Sequence, residues 1–159
     1  MKTHQNVNNE GKLEWVEQYH GEKFGFRRKS LSAAADGSKL GRSLYEVLPG
    51  RAWPYHYHSA NEEVIYVLEG METLRLDEEG IRVSKRDYIT FPAVRGAHQV
   101  INSGYICFST IIDPDVIVYP DSGKVGIFVG SAPGGSKEKR TLHKYLRDDT
   151  EVDYWDGEE

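Results

Sequence analysis

Gly50, His56, His58, Glu63 and Gly70 stand with five, one, four and six residues between them. With ordinary residue usage, five such residues at fixed spacing arise by chance on the order of once in a million start positions or fewer. The two histidines are two apart, so on an extended strand their side chains leave the same face. Glu63 follows a short connection, Ser59 to Glu62, at the head of an apolar run, and a hairpin there brings its carboxyl beside the two imidazoles. His98 heads a later apolar segment that a closed sheet can set opposite them. Three imidazoles and one carboxylate form a mixed nitrogen and oxygen donor set, suited to a divalent transition metal (Zn, Fe, Mn or Ni) and not to Ca or Mg, which prefer oxygen shells. Glu62 is the rival carboxylate. Alternation with Ile65 and Val67 turns Glu63 inward and Glu62 to solvent.

The surrounding chain reads as short strands. Alternating or apolar runs cover Phe24 to Arg28, Leu40 to Leu48, Val64 to Leu68, Thr73 to Leu76, Ile81 to Val83, Tyr88 to Phe91, Val100 to Ile101, Tyr105 to Ile112, Val116 to Tyr119 and Val125 to Val129. Turn residues such as Pro49-Gly50, Glu69-Gly70 and Asp77 to Gly80 separate them. Many short strands at such intervals predict an all-β sandwich or barrel. Ser32 to Ala35 predicts a single helical turn, Ser131 to Arg140 a polar loop, and Leu142 to Arg147 an arm. Trp53, Tyr55 and Tyr57 alternate with the histidines and are expected to face away from them. Cys107, between Ile106 and Phe108, reads as a small core residue.

The spacing from Gly50 to Gly70 resembles the first motif of the cupin superfamily. Asp87, Pro92, His98 and Asn102 resemble the second, with two departures. Arg86 stands where that motif has glycine, and the stretch from Pro92 to His98 is one residue longer. A bulged turn is expected to absorb the extra residue and leave His98 pointing inward. Val118-Tyr119-Pro120-Asp121-Ser122-Gly123-Lys124-Val125 and the ending Asp153-Tyr154-Trp155-Asp156-Gly157-Glu158 are similar to segments of bacterial single-domain cupins, some labelled sugar phosphate isomerase-like. The resemblance implies a double-stranded β-helix, or jelly-roll barrel. It also implies one metal on His56, His58, Glu63 and His98. A single domain over 1–159 is expected, with an N-terminal extension (1–39), a barrel core (40–130), and a loop with an acidic arm (131–159).

Other features bound the function. The net charge of −5 argues against a nucleic-acid partner. No apolar run is long enough to cross a membrane, and the single cysteine, Cys107, allows no intrachain disulfide. A cytoplasmic location is expected. Asp121 to Lys124 lacks the upstream glycine of a phosphate loop and reads as a turn. Arg42 and Arg51 read as surface residues, and Tyr154 with Trp155 as an anchor for the acidic tail. Four protein ligands on a metal that prefers six leave positions open, as a catalytic centre requires. The expected ligand is a small polar or anionic molecule. The reaction stays open between an isomerase acting on sugars or sugar phosphates, a dioxygenase or decarboxylase, and non-catalytic ligand binding. Sheet edges are often covered by pairing, so a homodimer is expected, with Phe24 to Leu31 in the contact.

Overall fold

The computed structural model describes residues 6–101, 104–133 and 135–158; Asn102 of the sequence analysis lies outside the described residues. Thirteen strands run through these residues: β1 (Val16–His20), β2 (Phe24–Ser30), β3 (Leu40–Val47), β4 (Tyr57–His58), β5 (Glu63–Glu69), β6 (Met71–Leu76), β7 (Glu79–Ser84), β8 (Tyr88–Phe91), β9 (His98–Ile101), β10 (Gly104–Thr110), β11 (Asp115–Tyr119), β12 (Lys124–Val129) and β13 (Leu142–Arg147). The four-residue helix α1 (Leu31–Ala34) falls on the single predicted turn.

The strands form a six-stranded sheet in the order β1-β2-β3-β10-β5-β8, a four-stranded sheet β13-β12-β11-β4, and a three-stranded sheet β7-β6-β9. All the strand pairs are antiparallel. Isolated bridges Ala52–Ile101 and His56–His98 tie β9 to the chain leading into β4, which joins the two smaller sheets along a seam. The main core lies between the six-stranded and three-stranded sheets. Phe26, Val47, Ile65, Val67, Phe91 and Tyr105 enter from the first, and Leu74, Val83 and Val100 from the second. Each comes from the inward parity of its strand, so period-two alternation in the sequence becomes one buried face per sheet.

Three readings of the sequence need correction. Leu142 to Arg147 is a strand, β13, paired with β12 over its whole length, although every one of its residues is exposed. Backbone hydrogen bonds hold this edge, so it carries no apolar alternation to read. Tyr154 and Trp155 dock in no groove among the described residues: they are 82% and 70% exposed and contact each other edge-on. Trp53 does not face away from the histidines. Pro54 interrupts the strand pattern, β4 begins only at Tyr57, and Trp53 turns inward to stack on Phe26 at 3.9 Å. Tyr55, by contrast, does face outward from the site, under Arg75, with its hydroxyl on the Asp77 carbonyl.

Both departures from the second motif have a structural form. Arg86 adopts φ +81°, the left-handed region a glycine occupies freely, at a cost of about 1–2 kcal/mol. Asp87 pins the same turn by accepting from the Ser84 amide at 2.7 Å. The lengthened 92–98 loop turns through positive φ at Val94 and Gly96, and the Val94 amide donates to the His58 carbonyl at 2.8 Å. The extra residue is taken up there, before His98 enters β9.

Candidate metal centre

His56 and His98 exchange backbone hydrogen bonds, His56 N–H to His98 O at 3.1 Å and His98 N–H to His56 O at 2.9 Å. Residues paired this way carry their side chains on the same face of the sheet. His58 follows two residues later on β4. Glu63 comes from the opposite layer, at the head of β5, with Ile65 and Val67 inward behind it and Glu62 exposed. The seam between sheets therefore supplies the imidazoles and the six-stranded sheet supplies the carboxylate.

Glu63 Oε2 lies 3.1 Å from His98 Nε2, 3.6 Å from His58 Nε2 and 3.7 Å from His56 Nε2. Ligand atoms of His56, Glu63 and His98 all fall within 4.8 Å of one another. His58 reaches this triple through Glu63 and stands outside it. Each imidazole has its other nitrogen committed: His56 Nδ1 to the Pro54 carbonyl at 2.9 Å, His58 Nδ1 to Asp115 Oδ2 at 2.6 Å, and His98 Nδ1 to the Gly96 carbonyl at 3.1 Å. All three partners are acceptors, so each Nδ1 carries the hydrogen and each neutral ring presents a bare Nε2 lone pair. Four acceptor atoms thus converge, and with the imidazoles neutral the Cys107 thiol, 3.8 Å from Glu63 Oε1, is the one donor near the carboxylate among the described residues.

That donor set fits a transition-metal ion. Two atoms bound to one ion at 2.0–2.2 Å stand roughly 3–3.6 Å apart, close to the Glu63 spacings. Fixing the tautomer through a carboxylate or carbonyl on the far nitrogen is how metal-binding imidazoles are oriented.

Electrostatics agree with the geometry. Burial pushes the Glu63 carboxyl up, but without a metal the facing imidazoles in their protonated form, with His56 and His98 donating to it, outweigh burial and hold it well below its ordinary value. Burial pushes His98 down, against the pull of Glu63, so it stays neutral to lower pH. Burial would also lower His58, yet Asp115 and Glu63 overcome it and the ring is raised. Asp115, despite burial, is lowered by the His58 hydrogen bond. Its contribution to stability is present above the ordinary value of 3.8 and is lost as pH falls through the depressed one.

Asp115 was not legible as a partner of His58. It opens β11 on the same parity as buried Ile117, and an acid at the inward start of an apolar strand was the available signal. Replacing Asp115 with Asn is expected to leave the fold intact and weaken metal binding roughly 10- to 100-fold, the usual cost of losing such an orienting carboxylate. Metal titration of the two proteins checks this; equal affinities would show that Asp115 does not orient His58.

Around the cluster, Tyr45, Trp53, Ile65, Val100, Tyr105 and Cys107 line a cavity of about 40 Å³. Cys107 is partly buried there, packed against the main core, and burial pushes its thiol well up, so it is no nucleophile. Burial likewise pushes the Tyr45 phenol up to about 12. Arg51 binds the Gly21 and Phe24 carbonyls, and Arg42 is exposed, so neither serves the site.

Comparison with known proteins follows the same lines. The cupin domain model matches residues 43–107. No curated protein matches the sequence. A cupin-superfamily sugar phosphate isomerase from Silicibacter pomeroyi superposes with a TM-score of 0.73 at 20% identity, over 88% of this chain and 91% of that one. A protein from Acidithiobacillus ferrooxidans, provisionally named a sugar phosphate isomerase, gives 0.73 at 23% identity, over 89% and 90%. An oxalate decarboxylase, so named by prediction, from Thermotoga maritima gives 0.57 at 15% identity, over 67% and 99%. At these identities the likeness carries the fold. Residues 43–107 therefore match a cupin domain, and the chain shares the all-β jelly-roll fold of these neighbours, with a histidine–glutamate cluster at the seam of its sheets.

Proposed function

We propose that this protein binds one divalent transition metal (Zn, Fe, Mn or Ni) through His56, His58, Glu63 and His98, and uses it to act on a small polar or anionic molecule as a sugar or sugar-phosphate isomerase-like enzyme. The observation that carries the metal is the convergence of three Nε2 lone pairs on a carboxylate, with every Nδ1 already bonded elsewhere. The bound ion supplies Lewis acidity toward a carbonyl or enediol oxygen. Tyr45, held protonated at neutral pH, is available to donate a hydrogen bond to a ligand oxygen. Trp53, Ile65, Val100 and Tyr105 exclude water around the reacting end. Isomerase-like chemistry is favoured by the relatives that match over most of both chains.

A non-catalytic binding role is the second reading. Apart from the cluster itself, no carboxylate or imidazole lines the cavity among the described residues, and Tyr45 is a poor base. The whole chain is read as one domain, since β1 and β2 extend the six-stranded sheet and β13 the four-stranded one. A homodimer through Phe24 to Leu31 would use a sheet face, because β2 already has β1 and β3 on its two edges; light scattering reports it. None of the described helices is long and apolar enough to cross a membrane.

Metal analysis of the purified protein by mass spectrometry tests the reading. About one transition-metal ion per chain is expected, and His56→Ala should fall well short of that. A wild-type protein that neither carries a metal nor takes one up from Zn, Fe, Mn or Ni solutions would overturn it. With metal bound, conversion of aldose phosphates followed by NMR supports the enzyme; saturable binding without conversion supports the binding role.

A further inference from the structure

The hairpin joining β11 to β12 brings to the site a group of side chains that the metal reading leaves unused. Tyr119 pairs with Lys124 across this hairpin, and Lys124 pairs with Arg147 across the next ladder. Directly paired residues share a face, so Tyr119, Lys124 and Arg147 form one row. Tyr145 lies on the same face, two residues from Arg147. It is also the face of Asp115 and Ile117, which turn toward His58.

The row reaches the cluster. The Tyr119 ring stacks beside His56 at 6.0 Å, and the Tyr145 ring follows at 6.1 Å. The Lys124 ammonium lies over both rings, at 4.9 Å and 5.7 Å from their centres. Two ring contacts therefore separate Lys124 from His56. The arrangement is built. A Cβ at Gly126 would meet the Tyr145 ring at 2.9 Å, so glycine there makes room for that ring to lie across the sheet. The hairpin is fixed from outside by Arg75, which bonds Asp121 at 2.7 Å and rests on Tyr55.

Two features of the row call for an anion. Like charges set directly opposite in a ladder repel, and Lys124 faces Arg147 in this way. Among the described residues neither forms an ion pair with a carboxylate. A bound oxyanion between them offsets the repulsion, and cationic side chains beside phenol hydroxyls suit phosphate or carboxylate oxygens.

We propose that Lys124, Arg147, Tyr119 and Tyr145 form an oxyanion site beside the metal cluster, which takes the phosphate or carboxylate end of the ligand while its other end reaches the metal. The proposal rests on the metal-dependent reading above and adds the end of the ligand that is recognised. It gives the segment from Val118 to Val125 a role: it is the hairpin that carries Tyr119 and Lys124 to the site.

Calorimetric titration of the full-length, metal-loaded protein with inorganic phosphate, and separately with malonate, tests it. Lys124→Met and Arg147→Met should each weaken the tighter anion roughly tenfold or more, the loss expected for one charge-assisted hydrogen bond. Lys124→Arg should stay within about threefold of wild type. Metal content, measured on the same samples, should not change. A tenfold preference for phosphate or for malonate names the group recognised. The proposal falls if the metal-loaded wild type binds neither anion, or if the Lys124→Met, Arg147→Met double variant binds as wild type does. A protein that holds no metal but binds phosphate through Lys124 would sink the metal reading and leave the oxyanion site standing.

Discussion

Glu63→Gln is expected to cost about 3 kcal/mol of metal affinity, roughly a hundredfold, which is one ligand's share of the ~10–16 kcal/mol that four protein ligands supply to a structural zinc site. Glu63 is the only anionic member of the set and the only one from the six-stranded sheet. Its loss removes the charge that balances the ion and the contact that ties the two layers together. Thermal unfolding gives a second readout. At a metal concentration a hundredfold above the wild-type dissociation constant, binding adds about 2.7 kcal/mol to wild type and about 0.4 kcal/mol to a variant bound a hundredfold more weakly. Equal metal content and an equal rise in melting temperature for the two proteins would remove Glu63 from the site.

Phe91→Ala should destabilise the protein by about 3–5 kcal/mol, the range for truncating a buried aromatic side chain. Phe91 is 3% exposed, pairs with Glu63 across the β5–β8 ladder and belongs to the main core. Its ring also lies flat on His98, centres 3.7 Å apart and planes within 9°. The same substitution therefore opens a cavity and frees a candidate ligand to turn, and metal affinity should fall with stability. Denaturant unfolding of the metal-free protein isolates the packing loss. A loss under about 1 kcal/mol would mean that the site collapses around the truncation and that Phe91 is no support for His98.

How far the sequence could be read varied from residue to residue. Glu63 over Glu62 followed from alternation alone, because one face of β5 is buried and a one-residue slip would reverse every side chain. His98 was legible despite the longer loop, since strand β9 restarts in register after the turn at Val94 and Gly96. Trp53 was misread because alternation holds only within strands, and Pro54 breaks one. Cys107 was read as a small core residue; it does pack against the main core, and its strand parity also places it on the cavity wall. β13 was missed for a different reason. An exposed edge strand is held by main-chain hydrogen bonds, which any non-proline residue can make.

From sequence alone came the candidate donor residues, their spacing and the β class, because metal chemistry restricts residue types and an extended chain has a fixed period of two. What tertiary structure decided was everything set by partners distant in sequence. Asp115 lies 57 residues from the His58 it orients, and Trp53 turns to meet Phe26. Lys124 and Arg147 come to stand side by side because β13 folds back on β12. Local preferences are short-ranged; which strands become neighbours depends on how the whole chain buries its apolar faces.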